Sequence, residues 1–359
     1  MPKDRVHAVG QDEAIRVEKS GKAVITSREE ASSPKDVAND FVLTPGGWRA
    51  RFLVHLIEPD HVLRVEDGLL QKRDPSGRVV AEFGQMQPSQ TEEPLMPRNV
   101  ALKPWEVSAL GSGWIEYAFW NNNTGTPVSH FEVTWTVPPA PSAQEGQTIF
   151  LFNGIQNSTM IYQPVLQWGV SAAGGGKYWS VASWYAGRQG QAFYSTPVPV
   201  NPGDVLVGLI RITTRNPTGT FDYLCQFSGI ANTDLPVQNV PELTWCCVTL
   251  EAYGLTSCLQ YPKVCTVFQG INVQTGTTHP ALTWTPQISC NDCGQDVIGL
   301  QHKPWRRDEY VLRKVFASSS HPTLTAPASI SRATQLGLLR HSKKERRGAL
   351  QLNAVNVKQ

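Results

Sequence analysis

Histidine is the side chain that most often moves protons in hydrolytic sites near neutral pH. Here it is scarce: His130 is the only one between residues 62 and 278. No HExxH segment places two imidazoles on one helical turn for zinc, and the GxSxG turn that lifts a serine nucleophile is absent. A Ser-His-Asp or Cys-His set would have to draw on His130 or on the distant His279 and His302. Ala173-Gly174-Gly175-Gly176-Lys177 lacks the spacing and the following Ser or Thr of a phosphate-cradling loop, and it reads as a hairpin turn. All 7 cysteines fall between Cys225 and Cys293. Cys290-Asn291-Asp292-Cys293 is a lone CxxC near Cys258 and Cys265, without the second pair of a zinc ribbon. Local disulfides or buried thiols are expected instead, with at least one thiol left unpaired. No metal and no cofactor are expected. What remains for bond-breaking chemistry is carboxylates and amides.

The elements that would position such groups are strands. From Trp114 to about Gln287, segments such as HFEVTWTV, TIFLFNG, YQPVLQWGV, KYWSVASWYA and LTWCCVTLEAY follow one another, divided by NNNTGT, PPAPSAQEG, AAGGG and NPGD. Regular short strands with almost no helical period predict an all-β sandwich or barrel. Upstream, residues 41–84 alternate apolar and polar residues around Pro-Asp, Asp-Gly and Pro-Ser-Gly turn signals, which predicts a small antiparallel meander. Residues 1–40 are polar and charged, expected to be disordered or loosely helical, and the Pro-rich stretch 85–112 reads as a linker. The sandwich domain is placed at 113–302 and a mostly disordered basic tail at 303–359, with one short docking helix near Asp308–Phe316.

Charged residues make up only 17% of the chain, and Gly (29), Pro (26) and Trp (11) are abundant. That composition argues against a helical bundle, a coiled coil or a mainly disordered chain. The net charge of +2 conceals an acidic body and a strongly basic tail. No recognition fold accompanies the basic residues, so no nucleic-acid partner is expected. No apolar run approaches the ~18 residues of a membrane span, and the charged start has no apolar signal region. From the sequence alone the compartment reads as cytoplasmic, and the oligomeric state is left open.

At Val165-Leu166-Gln167-Trp168-Gly169-Val170 the sequence resembles the glutamic peptidases, or eqolisins, whose Ile-Leu-Gln-Thr-Gly-Val strand carries one member of a Gln/Glu dyad. Upstream, Thr134-Trp135-Thr136-Val137-Pro138 is similar to that family's Thr-Trp-Thr-Val-Pro strand, and Asn153-Gly154-Ile155-Gln156 stands where it has Val-Gly-Ile-Asp. Downstream, Tyr178–Tyr185 parallels its Tyr-Asp-Ala-Trp-Tyr-Glu-Trp-Tyr strand, and Val248-Thr249-Leu250-Glu251-Ala252-Tyr253 parallels the strand of the catalytic Glu. The resemblance covers about residues 114–257. It implies a concanavalin-like sandwich of two antiparallel sheets bent around a concave cleft, acting on a polypeptide substrate. It implies Gln167 and Glu251 as catalytic residues, with Trp135, Gln156, Trp168, Tyr178, Trp184 and Tyr253 lining the substrate site. Glu251 would act as general base toward water, and the Gln167 amide would steady the oxyanion. An extracellular location is suggested by the resemblance alone.

Three acidic positions of that family are occupied here by Gln156, Trp179 and Ser183. Activity tuned by a cluster of carboxylates is therefore not expected; burial beside Trp168, Trp184 and Tyr253 would have to raise the pKa of Glu251. Strand parity places Gln163, Val165, Gln167 and Gly169 on one face, and Cys247, Thr249, Glu251 and Tyr253 on one face. In each strand the candidate residue lies on the more polar side. The other reading is a non-catalytic, lectin-like module whose Trp, Tyr, Gln and Asn bind peptides or glycans.

Overall fold

The structure, a computed structural model, describes residues 13–17, 23–27, 40–85, 110–187, 190–300 and 308–314. Residues 1–317 group into one unit and 318–359 into a second that lies outside the described residues, as do most of the expected linker and the tail beyond 314.

The charged start contains an antiparallel pair, β1 (Glu13–Val17) and β2 (Ala23–Ser27), where no strand was expected. Both segments are rich in β-branched residues, which favour extended backbone over helix. β3 (Phe41–Thr44) and β4 (Gly47–Ala50) close a hairpin over Pro45-Gly46, with φ of +92° at Gly46 and +105° at Gly47. Only glycine adopts that backbone region without strain. A short 3-10 turn, Arg51–Leu53, leads into β5 (Val54–Leu56). The meander β6 (Val62–Glu66), β7 (Leu69–Arg73) and β8 (Val79–Gln85) follows. Its first turn is Asp67-Gly68, with positive φ at both residues, as a tight two-residue hairpin demands.

The body supplies β9 (Gly113–Asn121), β10 (Val128–Thr136), β11 (Thr148–Gln156), β12 (Met160–Ser171), β13 (Gly174–Gly187), β14 (Ala192–Tyr194), β15 (Val198–Val200) and β16 (Val205–Arg215). They continue with β17 (Phe221–Phe227), β18 (Leu235–Val240), β19 (Trp245–Tyr253), β20 (Thr266–Thr275), β21 (Thr285–Ile288), β22 (Gln295–Leu300) and β23 (Asp308–Lys314). These strands form a β-sandwich. One sheet has the order β22-β23-β20-β10-β16-β17-β18-β6-β7-β8, the other β21-β9-β19-β11-β12-β13-β14-β5 with β15 beside β13. Between them lies a core that includes Phe131, Trp135, Leu151, Leu166, Trp179, Phe227 and Leu250.

Two expectations need correction. The sheets are not wholly antiparallel: β5 runs parallel to β14 and β6 parallel to β18. Both exceptions are strands of the N-terminal segment, which extends the two sheets. And Asp308–Lys314 is a strand, not a helix, paired with both β20 and β22. Tyr310, Val311 and Leu312 are β-favouring residues, and the edge of β20 gives the segment its backbone partners. Chain beyond residue 302 therefore completes a sheet.

Candidate active site

The middle strands of the nine-stranded sheet, β11 and β19, are buried at every residue, which explains their near-continuous apolar runs. One face of this sheet meets the other sheet. The second face carries Trp114, Tyr117, Phe150, Phe152, Trp184, Trp245 and Tyr253, and Leu43 of the β3–β4 hairpin packs into them.

Gln167 and Glu251 lie on that second face and in one lateral row. Phe150 of β11 is directly opposite Gln167 of β12 on one side and Glu251 of β19 on the other. Directly opposed residues share a face, and strands are spaced ~4.8 Å apart, so the two backbones stand roughly 10 Å from each other. The face is not the polar, open surface that parity suggested: Gln167 is 4% exposed and Glu251 0%. The aromatic residues around the pair and the hairpin above it account for the difference.

Each side chain is held differently. Glu251 Oε1 accepts from the Tyr253 hydroxyl at 2.5 Å and from the Gly46 backbone N–H at 2.8 Å. Its Oε2 is buried and has no hydrogen-bond partner among the described residues. Burial raises the Glu251 pKa to about 7, against the opposing pull of the Tyr253 and Gly46 hydrogen bonds and the Arg49 charge. Arg49 donates from Nε to Thr44 Oγ1 at 3.0 Å and from Nη1 to the Gly187 carbonyl at 3.4 Å.

The Gln167 amide makes three local hydrogen bonds, with both of its N–H groups donating. Nε2 donates to the carbonyls of Gly169 and Gly174, both at 2.9 Å, and Oε1 accepts from Ser171 Oγ at 2.7 Å. Two glycines nearby have no room for a side chain. A Cβ on Gly175 would come within 2.4 Å of Gln167 Nε2, and one on Gly169 within 2.2 Å of the Gln147 carbonyl.

Of the residues expected to line a substrate site, Tyr253 touches Glu251 directly, and Trp184 lies on the same face, stacked on Tyr194. Gln156 is buried six residues along β11 from Phe150, about 20 Å away at strand rise. Tyr178 lies in a bulge of β13 and is 46% exposed. Trp135 and Trp168 need correction. Both point into the core between the sheets, Trp135 against Phe227 and Phe268, and Trp168 against Trp179. Trp168 alternates with Gln167, so it cannot share its face or desolvate Glu251. Sequence reasoning missed Gly46, Arg49 and Ser171, which contact or flank the pair. The signal present was Thr44-Pro45-Gly46-Gly47, a tight turn whose partner lies 205 residues away.

A cavity of ≈ 360 Å³ opens beside Tyr253, bounded by Leu43, Trp48, Val170 and Ser171. Among the described residues no group of three or more His, Cys, Asp or Glu is placed to hold a metal ion. Cys258 and Cys293 form a disulfide, while Cys225, Cys246 and Cys247 are buried free thiols. No described helix is long and apolar enough to cross a membrane.

No protein-family model matches the chain, and no curated protein matches it. Solved structures do. Scytalido-glutamic peptidase with a transition state analog inhibitor is similar at 14% identity and a TM-score of 0.40, over 57% of this chain and 100% of that one. SCP-B, a member of the eqolisin family of peptidases in complex with the tripeptide Ala-Ile-His, is similar at 13% identity and a TM-score of 0.34, with the same coverage.

Proposed function

We propose that the chain is a glutamic-type endopeptidase that hydrolyses peptide bonds with Glu251 as general base and Gln167 as oxyanion donor. The observation that carries the reading is the state of Glu251. One oxygen is fixed by Tyr253 and Gly46, the other is buried without a partner, and the carboxyl titrates near neutrality at about 7. A base poised near the working pH combines the right protonation state with driving force for proton transfer. Glu251 Oε2 takes a proton from a water, whose oxygen adds to the scissile carbonyl. Gln167 donates an Nε2–H to the developing oxyanion, giving up its bond to the Gly174 carbonyl. The protonated Glu251 then delivers its proton to the leaving amine. Giving up one neutral hydrogen bond costs about 1 kcal/mol, less than the ~3–4 kcal/mol that an oxyanion donor contributes.

The complete local bonding of Gln167 favours a second reading, in which the face binds peptides or glycans without cleaving them. The two readings separate in one experiment. Under the first, Glu251→Ala and Gln167→Ala each reduce digestion of a denatured protein by ~10²-fold or more, with a cooperative melting transition retained. Cleavage undiminished in either folded variant removes that residue from the mechanism.

A further inference from the structure

Apart from the Gly46 N–H on Glu251, the proposed reaction makes no use of the segment that lies over its own site. The β3–β4 hairpin crosses the face from β19 to β13. Gly46 N–H donates to Glu251 Oε1 at 2.8 Å, the Leu43 carbonyl accepts from Ala172 N–H at 2.7 Å, and Arg49 Nη1 reaches the Gly187 carbonyl. Leu43 is 4% exposed among the aromatic residues of the face. These are the contacts of a ligand. The hairpin forms a two-stranded sheet of its own and joins no ladder of the sandwich, whereas β5 and β6 directly after it pair into the two sheets. The boundary is the Arg51–Leu53 turn, where Phe52 is 75% exposed.

We infer that the hairpin is a tethered internal ligand of the cleft, and that the cleft accepts in trans a peptide of the same pattern. That pattern is an apolar side chain in the place of Leu43, a Pro-Gly turn that offers an N–H to Glu251, and a basic side chain in the place of Arg49. The inference rests on the reading of this face as a peptide site, and it adds the class of peptide and the means of closure. A short tether holds its ligand at an effective concentration in the millimolar range, so a free peptide competes only after the hairpin is cut loose or weakened.

The test uses the full chain with a recognition sequence for a site-specific protease inserted after Phe52, which is exposed in the turn between the hairpin and β5. The probe is a labelled peptide with the sequence of residues 41–50, Phe-Val-Leu-Thr-Pro-Gly-Gly-Trp-Arg-Ala. Binding is expected after cleavage and not before. A Gly46→Pro peptide, which has no N–H to donate, and an Arg49→Glu peptide are each expected to bind at least ten times more weakly. As a second route, Leu43→Asp in the uncut chain should admit the same probe. Equal binding by cut and uncut protein, or loss of the cooperative melting transition on cleavage, would overturn the inference. Binding of the probe without hydrolysis of any protein substrate would leave it standing and reject the dyad. Hydrolysis by the uncut chain at the rate of the cut one would reject the closure and keep the dyad.

Discussion

Glu251 and Glu116 lie on adjacent strands, β19 and β9, and face opposite sides of the nine-stranded sheet: Glu116 pairs across to Leu250 of the inter-sheet core, Glu251 to Trp114 of the outer face. Burial raises both pKa values, to about 8 for Glu116 and about 7 for Glu251. Both also have a glutamine within their neighbourhood. Glu116 Oε2 accepts from the Asp296 backbone N–H at 3.1 Å, beside Tyr261 and Gln295 and a cavity of ≈ 10 Å³. That volume holds about one water. Glu251 keeps an oxygen without a partner on a broad aromatic face, with a ≈ 360 Å³ cavity at its Tyr253 end. Burial alone thus raises the pKa of any carboxyl, whereas a site also needs an available oxygen and room for a substrate.

The sharpest way to break this comparison is to neutralise each carboxyl in turn. With the hairpin cut loose, Glu251→Gln should lower kcat/KM for peptide hydrolysis by ~10²–10⁴-fold, and Glu116→Gln should leave it within about twofold. Equal losses would mean that both glutamates act only through folding. Next in size is the disulfide on the Glu116 side, which closes a sequence separation of 35 residues. Cys258→Ser with Cys293→Ser should lower unfolding free energy by ~2–4 kcal/mol in denaturant titrations, with kcat/KM unchanged.

Stability against pH separates the two groups by window. A carboxyl whose pKa is raised on folding binds its proton more tightly in the native state, so stability falls as pH rises from the ordinary value of 4.5 to the folded one. Melting temperature should therefore decline between pH 4.5 and about 8 in the wild type. Glu251→Gln should make the decline shallower below about 7, where both groups contribute, and leave the part between about 7 and about 8, which should vanish only in Glu116→Gln. The smallest effect is expected from Tyr253→Phe. Its hydroxyl bond stabilises the ionised carboxylate, so removal should move the pH–rate limb upward, and Tyr261→Phe beside Glu116 should not move it.

The sandwich was legible because strand alternation and turn residues are local signals, and β9 to β20 follow them closely. Which residues share a face within β12, and which within β19, was legible for the same reason, since parity within each strand is fixed; that Gln167 and Glu251 lie on one face depends on the register through Phe150, which only the family resemblance implied. What covers that face was not legible. Gly46 reaches Glu251 across 205 residues, and no local pattern encodes such a contact. The same limit misplaced Trp135 and Trp168: an aromatic residue suits a cleft and a core equally, and only the packing of two sheets separates them. The strand at Asp308–Lys314 depends on the open edge of β20, which its own seven residues cannot reveal.

The most direct test of the Gln167/Glu251 account is the pH–rate profile of peptide hydrolysis by the wild type and Glu251→Gln, both with the hairpin cut loose. The wild type should show a limb that rises as Glu251 ionises, and the variant should lose both the limb and nearly all of the rate. A variant that hydrolyses peptides at the wild-type rate with the same limb would contradict the account.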